Sequence, residues 1–130
     1  MIVAGIGARA AAAAEDIVNA VREACGRAGL EPSEVGIVAG LTRAQTDAAV
    51  MSAAKVLAAR PVLFTNGQLQ AEAARCVTHS DRSLAATGLP SVAEAAAMAG
   101  AGPDGLLFAP RIAFANVTVA LAIGPGGAGE

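Results

Sequence analysis

Short apolar runs alternate along the chain with longer segments of helical periodicity. Glycine, proline or polar residues bound the apolar runs, which predict five buried strands at 2–6, 35–39, 62–64, 105–109 and 116–123. After the first strand, apolar residues recur every three or four positions from Ile17 to Ala28, which predicts a helix with one apolar face. Gly29 then supplies a left-handed end for this helix.

The remaining helices are predicted from their N-terminal capping patterns. A Ser or Thr three residues before a Gln or Glu favours a capping box, in which each side chain accepts a hydrogen bond from the other residue's backbone N–H. Three such pairs predict helices that begin near positions 42, 65 and 91: Thr42 with Gln45, Thr65 with Gln68, and Ser91 with Glu94. The first helix must end before Pro61, and the second is predicted over 68–76. The polar stretch at 77–90 is predicted to be a loop.

Alternating strand and helix patterns predict an α/β fold. We expect a single three-layer α/β/α domain over residues 1–123, around a mainly parallel, mixed sheet of about five strands. The link at 110–115 is too short for a crossover helix, so the last two strands are predicted to pair antiparallel. Residues 124–130 carry too little apolar surface to offset their ordering entropy, and we expect a disordered tail there.

Composition and charge narrow the classes of function. The 130 residues are 55% hydrophobic and only 2% aromatic, so small aliphatic side chains must fill the core. A formal net charge of −2 argues against nucleic-acid binding, which needs a concentrated basic face. No strongly apolar run is long enough to span a bilayer, and the N-terminus lacks the basic region of a signal peptide. We therefore expect a cytoplasmic protein with no membrane or nucleic-acid partner.

The two cysteines and the single histidine give little support for metal or cofactor chemistry. Cys25 and Cys76 show no CxxC spacing, so neither a disulfide framework nor a metal site is predicted. His79 lies alone in a polar segment, where an imidazole is more often a surface residue than a ligand. The sequence thus predicts no metal and no cofactor.

The N-terminal segment contains a G-x-G-x-x-A pattern formed by Gly5, Gly7 and Ala10. A dinucleotide site of this type needs an acidic residue about 20 residues after the glycines, at the end of the second strand. That position reads Val38 to Thr42 without an acid, so nucleotide binding is disfavoured. A glycine turn with uncovered backbone N–H groups is still a general seat for an anion.

Three arginines follow predicted strands of the sheet. Arg9 comes after the first strand, Arg43 after the second and Arg111 after the fourth. Because parallel strands end at the same edge of a sheet, and ligands of open α/β sheets bind at that edge, these arginines are predicted to lie together. With the helix N-termini near positions 10, 42 and 91, they would suit a molecule with several carboxylates. The alternative is that each arginine is a solvated loop charge.

Catalytic residues are not evident from the sequence. Ser91 and Glu94 could be a nucleophile and a base, but a capping box explains the same pair more simply. There is no G-x-S-x-G nucleophile motif, and no two carboxylates form a recognisable acid–base pair. The residues therefore favour a binding protein over an enzyme.

Three blocks of sequence carry a resemblance that spans almost all of residues 2–123. They are VAGIGAR at 3–9, GLPSVAEAAAM at 88–98 and LLFAPRIAFANVTVALA at 106–122. In these blocks the chain resembles the CobE family, which is also the C-terminal domain of CbiG proteins of cobalamin (vitamin B12) biosynthesis. Members of that family commonly show Lys-x-x-Glu after the second strand, whereas this chain has Arg43 in place of the lysine and departs from the pattern around it.

The resemblance implies a role in building the corrin ring. The leading hypothesis is that the protein binds a precorrin or a hydrogenobyrinic-acid-type tetrapyrrole and assists the processing or transfer of that compound. The alternatives are a hydrolase that opens the lactone of cobalt-precorrin-5A and releases acetaldehyde, or an accessory domain that docks on a biosynthetic methyltransferase. Other cobalamin enzymes and further copies of the chain are possible partners. The candidate ligand-binding residues are Gly5, Gly7, Arg9, Thr42, Arg43, Ser91, Glu94, Arg111, Asn116 and Thr118.

Overall fold

The computed structural model describes residues 1–125, which form a five-stranded mixed sheet. Its strands lie in the order β3-β2-β1-β5-β4. Strands β1, β2 and β3 are parallel neighbours, whereas β5 is antiparallel to both β1 and β4. Four strands therefore point the same way, and β5 alone is reversed. The strands are β1 (Ile2–Ala8), β2 (Val35–Leu41), β3 (Arg60–Phe64), β4 (Leu106–Ala113) and β5 (Val117–Ile123).

Helices cover both faces of the sheet. Helices α1 and α2 pack on one face, and α3 and α5 pack on the other. The predicted three-layer α/β/α domain with an antiparallel final pair of strands is thus confirmed. The helices are α1 (Ala14–Ala28), α2 (Asp47–Val56), α3 (Asn66–Gln70), α4 (Asp81–Thr87) and α5 (Val92–Ala101), with 3₁₀ turns at Pro32–Glu34 and Ala73–Arg75.

Small residues allow α5 to lie very close to the sheet. A Cβ atom added at Gly5 would approach the Ala97 backbone nitrogen to 2.5 Å, so only glycine fits there. Gly5 and Gly7 both lie inside β1, where they pair with β5. The predicted glycine turn is therefore wrong, because these residues extend the strand and admit the helix instead of opening a turn.

Two of the predicted helix starts differ from the structure. Thr42 does not cap α2, because its Oγ1 donates to Asp47 Oδ2 at 2.9 Å, and the other carboxylate oxygen accepts from the Arg43 backbone N–H at 2.7 Å. This side-chain bridge holds residues 42–46 in a turn, and α2 begins only at Asp47. The Thr65 capping box is confirmed, but the helix that it begins ends at Gln70 and is followed by a separate 3₁₀ turn.

The prediction of a loop at 77–90 is wrong, since this segment contains α4. The Ser80 hydroxyl caps its N-terminus, and Gly88 adopts the left-handed conformation at its end, with φ of 75°. No residue of α4 is buried, which explains why the sequence shows no apolar periodicity there.

Strand β4 is longer than predicted and continues through Pro110 to Ala113. Proline is tolerated because β4 is an edge strand whose register with β5 shifts between Ala109 and Ile112. In the described part of the chain, no helix is long and apolar enough to cross a membrane. Of the predicted tail, Gly124 pairs with Met1 through its backbone, and residues 126–130 lie outside the described residues.

Candidate functional site

A cleft of about 250 Å³ lies at the carboxyl edge of the sheet, partly open to solvent. The ends of β1, β2 and β4 form one wall with the turn that leads into β5, and α4 forms a second wall. The cleft is thus located where the parallel strands end, as expected for a ligand site in an open α/β sheet.

The three predicted arginines all line this cleft. Arg9 follows β1 directly and Arg43 lies two residues beyond β2, whereas Arg111 belongs to β4 itself and does not follow it. One guanidinium nitrogen of Arg43 donates to the Ala8 carbonyl oxygen at 2.8 Å, which ties the ends of β1 and β2 together. The sheet therefore gathers positive charges that are far apart in sequence.

A fourth arginine, Arg82, reaches the cleft from α4. Within residues 1–125, no Asp or Glu lines the cleft. Within residues 1–125 the two ion pairs are Arg27 with Glu23 and Arg75 with Glu72, so none of the cleft arginines is neutralised by a carboxylate. The cleft thus gathers four guanidinium groups that make no ion pair within residues 1–125, although the Asp47 and Glu94 carboxylates bond the backbone N–H groups of Arg43 and Arg111.

Gly7, Asn116 and Thr118 are the other predicted residues that line the cleft. The Thr118 hydroxyl donates to the Gly7 carbonyl oxygen at 3.3 Å, and the Arg9 backbone N–H donates to the Asn116 carbonyl oxygen at 3.0 Å. These bonds connect β1 to the start of β5 and fix the direction in which Arg9 leaves the sheet.

Four predicted ligand-binding residues lie outside the cleft lining. Gly5 is buried beneath α5, and Thr42 is exposed and bonded to Asp47. Ser91 is buried as the N-cap of α5, where its hydroxyl accepts from the Glu94 backbone N–H at 3.2 Å. Glu94 is also fully buried. Each of them has a structural role that accounts for its residue type.

The Glu94 carboxylate bridges two segments that are distant in sequence. It accepts hydrogen bonds from the Val77 N–H (2.9 Å), the Thr78 N–H (2.8 Å), the Thr78 hydroxyl (2.7 Å) and the Arg111 N–H (2.9 Å). The predicted capping box is therefore only half formed, because this side chain does not return to the backbone of Ser91. The carboxylate instead joins β4 to the segment that leads into α4, and so fixes both walls of the cleft.

The charge on Glu94 is maintained by these bonds. Burial alone would raise the pKa of the Glu94 carboxyl, but the four hydrogen bonds from Arg111, Thr78 and Val77 outweigh it and lower the pKa below its usual value. The group is therefore ionised at neutral pH although the residue has no solvent-accessible surface.

The hydroxyl group of Ser83, a residue of the cleft lining, makes no hydrogen bond within residues 1–125. Among the described residues, Ser83 Oγ is the single buried side-chain oxygen or nitrogen that makes no hydrogen bond within the protein. Ser83 lies on α4 and lines the cleft next to Arg82. Buried polar groups are nearly always bonded, so this atom calls for a physical explanation.

Comparison with known proteins assigns the family. The family model described as cobalamin synthesis G C-terminus matches residues 2–122. The chain belongs to this family. Protein CobE from Sinorhizobium sp is 34% identical over 121 residues, which cover 93% of this chain and 79% of the relative. The chain is therefore a cobalamin biosynthesis protein of the CobE and CbiG C-terminal type.

Solved structures of the family share the fold. The crystal structure of CobE, described as a protein from the cobalamin biosynthetic pathway, has a TM-score of 0.87 at 26% identity, over 94% of this chain and 89% of that one. The cobalamin biosynthesis protein chiG from Agrobacterium tumefaciens has a TM-score of 0.77 at 39% identity, over 96% and 99%. A cobalamin biosynthesis protein G homologue from Sulfolobus solfataricus shares the fold at 23% identity and a TM-score of 0.73. The match covers 93% of this chain and 36% of that one.

The two thiols of this family member are not activated. Cys25 and Cys76 are both buried. Burial, assisted by the charges of Glu94 and Glu72, raises the pKa of Cys76 to about 11. Burial and the nearby Glu34 raise the pKa of Cys25 as well. Within residues 1–125, His, Cys, Asp and Glu side chains form no group of three that could hold a metal ion.

Proposed function

We propose that the arginine-lined cleft binds the carboxylate-bearing rim of a corrin precursor. The observation that carries this proposal is the convergence of Arg9, Arg43 and Arg111 on one cleft that no acidic residue of the described chain lines. Guanidinium groups bind carboxylates with paired, charge-assisted hydrogen bonds. Precursors of the corrin ring carry acetate and propionate groups around the macrocycle, and membership of a cobalamin biosynthesis family makes such compounds available ligands.

The size of the cleft specifies how such a ligand would bind. Its volume of about 250 Å³ is below the roughly 300–1,000 Å³ of sites that enclose a drug-sized molecule. A tetrapyrrole is larger than that, so we propose that it inserts one edge with its carboxylate side chains while the ring lies across the opening. The apolar part of the lining, which includes Ile6, Val92 and Phe114, would contact the methyl-bearing parts of that edge.

Equilibrium titration with hydrogenobyrinic acid tests the proposal, because binding should shift the absorption spectrum of the macrocycle. Arg9→Ala or Arg111→Ala should weaken binding by about 1–3 kcal/mol each. This corresponds to a roughly 5- to 150-fold rise in Kd. Arg22→Ala is the matched control, since Arg22 is exposed on α1 and lies outside the cleft. A wild-type protein that gives no spectral shift at high micromolar ligand would overturn the proposal.

The ligand's charge provides a second arm of the same experiment. Esterifying the peripheral carboxylates removes the groups that the arginines bind while leaving the ring intact. The ester should therefore bind much more weakly than the acid, and the acid should lose affinity as salt is raised. Equal affinity for acid and ester would contradict recognition through the carboxylates.

The composition of the cleft favours binding over lactone hydrolysis. Among the described residues, its lining contains hydroxyl groups and arginines but no Asp, Glu, His or Cys that would serve as a general base. Acetaldehyde release from a precorrin-5A substrate would reveal hydrolysis directly. We expect binding of the macrocycle without release of acetaldehyde.

A further inference from the structure

We infer that α4 (Asp81–Thr87) belongs to the binding site and that Arg82 and Ser83 bind a second carboxylate of the ligand, separate from the one that the strand-end arginines bind. This inference rests on the proposed function and extends it from a binding edge to a two-sided site. It restricts the ligand to molecules whose carboxylates are far enough apart to reach both walls at once.

The first observation is the hydroxyl of Ser83. Its Oγ is shielded from solvent and makes no hydrogen bond within the described residues, while Ser83 is one of the residues that line the cleft. A serine hydroxyl can donate one hydrogen bond and accept two, so all of its bonding capacity is unused here. A rotation about χ1 that turned the hydroxyl into the cleft would let a ligand carboxylate oxygen accept that proton and remove the cost of the unpaired group.

The second observation is the charge beside it. Arg82 is exposed and lines the same cleft, and its side chain makes no hydrogen bond or ion pair among residues 1–125. Its guanidinium group and the Ser83 hydroxyl are on adjacent residues of one short helix. Together they present a cation and a neutral donor to the same cleft, which suits one carboxylate.

The third observation is how α4 is attached. Its ends are held by backbone groups: the Ser80 N–H donates to the Pro90 carbonyl at 3.0 Å, and the Thr87 carbonyl accepts from the Asn66 side chain at 2.9 Å. Between these two ends no residue of α4 is buried. A seven-residue helix is only marginally stable by itself, so contacts along its cleft side should have a large effect on its order.

Four variants test the inference in the titration with hydrogenobyrinic acid. Ser83→Ala should raise Kd about 3- to 10-fold, and Arg82→Ala should raise it by about 5-fold or more. Ser83→Thr keeps the hydroxyl and should bind close to wild type. Ser52→Ala, on the exposed surface of α2, is the matched control and should leave Kd unchanged.

Stability separates a binding role of Ser83 from a structural one. Because its hydroxyl bonds to nothing in residues 1–125, Ser83→Ala should leave the thermal midpoint unchanged or raise it slightly while binding weakens. Hydrogen exchange gives an independent readout, in which ligand should slow exchange of the α4 amides. Arg82→Ala keeps the test valid whatever the effect of Ser83→Ala on folding, since Arg82 makes no bond within the described residues.

The outcomes distinguish this inference from the proposed function. If the wild type binds, and Arg9→Ala weakens binding while both α4 variants match the controls, the inference is overturned and the proposed function stands. Unchanged exchange of α4 in the complex would overturn it in the same way. If the wild type does not bind at all, the proposed function itself fails. Weaker binding by both α4 variants with ligand-dependent protection of α4 would establish the two-sided site.

Discussion

Replacing Glu94 by glutamine tests whether its charge, and not merely its volume, holds the two walls of the cleft. Glutamine has nearly the same shape, so the variant leaves no cavity. With its amide oxygen in the position of Oε1, it still accepts from the N–H groups of Val77 and Thr78. Its amide nitrogen can then donate to the Thr78 hydroxyl, but it faces the N–H of Arg111, which loses its acceptor.

The magnitude follows from these four bonds. An unsatisfied buried donor at Arg111 costs about 1–3 kcal/mol, and the remaining bonds become weaker because they lose their charge. We expect Glu94→Gln to lower the free energy of unfolding by about 2–4 kcal/mol. The opposite orientation of the amide would be worse, because its nitrogen would face two N–H groups.

Urea unfolding at pH 7 measures this difference. Glu15→Gln is the matched control, because Glu15 is an exposed carboxylate in the first turn of α1 and should cost less than about 1 kcal/mol. A Glu94→Gln variant within about 0.5 kcal/mol of wild type would show that the carboxylate contributes little, and would refute the reasoning.

The same pair of proteins makes a prediction for pH. The pKa of Glu94 is lower in the folded protein than in the unfolded chain, so its stabilising effect is fully present above the unfolded pKa of about 4.3. It is lost as pH falls through the folded-state pKa. The stability difference between wild type and Glu94→Gln should therefore shrink below about pH 4. A difference that stays constant down to pH 3 would contradict the assignment.

Two further predictions concern packing and thiol reactivity. Gly5→Ala should destabilise the fold by about 1–3 kcal/mol or more in thermal unfolding, because its Cβ would meet the backbone of α5 near Ala97. Gly26 lies on α1, and a Cβ added there meets no other atom, so Gly26→Ala should instead stabilise the fold by about 0.5–1 kcal/mol. Equal effects of the two substitutions on the unfolding temperature would contradict the packing account. Cys25 and Cys76 should react with a thiol reagent only as the protein unfolds, and rapid labelling under native conditions would show that their burial is incomplete.

The sheet could be predicted from the sequence because each strand is a short apolar run between breakers. Strand β4 is the exception, because the apolar run ends at Ala109, before Pro110, and the strand does not. Proline lacks the N–H that a central strand needs, but β4 has a neighbour on one side only and shifts its register near Pro110. The position of a strand within the sheet, which depends on the whole fold, decides how such a residue is accommodated.

Short-range patterns predicted helix ends well only where no other group competed. The Thr65 box formed as expected, whereas the Asp47 carboxylate bonded Thr42 and Arg43 and delayed the start of α2. Helix α4 had its signals in the sequence, namely a capping Ser80 and a terminal Gly88. It was missed because it buries no residue, and apolar periodicity is the pattern by which helices are usually recognised.

The site residues, too, could be predicted from the sequence only in part. The meeting of Arg9, Arg43 and Arg111 could be predicted, because parallel strands end at one edge. Arg82 and Ser83 could not be predicted as site residues, because the sequence did not reveal that α4 is a wall of the cleft. The bridging role of Glu94 could not be predicted, since its partners Val77, Thr78 and Arg111 are 16 or 17 residues away in either direction.

A crystal structure of the protein with hydrogenobyrinic acid would test the central claim most directly, because it places each carboxylate of the ligand. The account predicts that carboxylate oxygens lie within hydrogen-bond distance of the guanidinium groups of Arg9 and Arg111, with one edge of the ring in the cleft. A ligand bound elsewhere, such as in the groove lined by Phe64 and Arg75, with the arginine cleft empty, would contradict it.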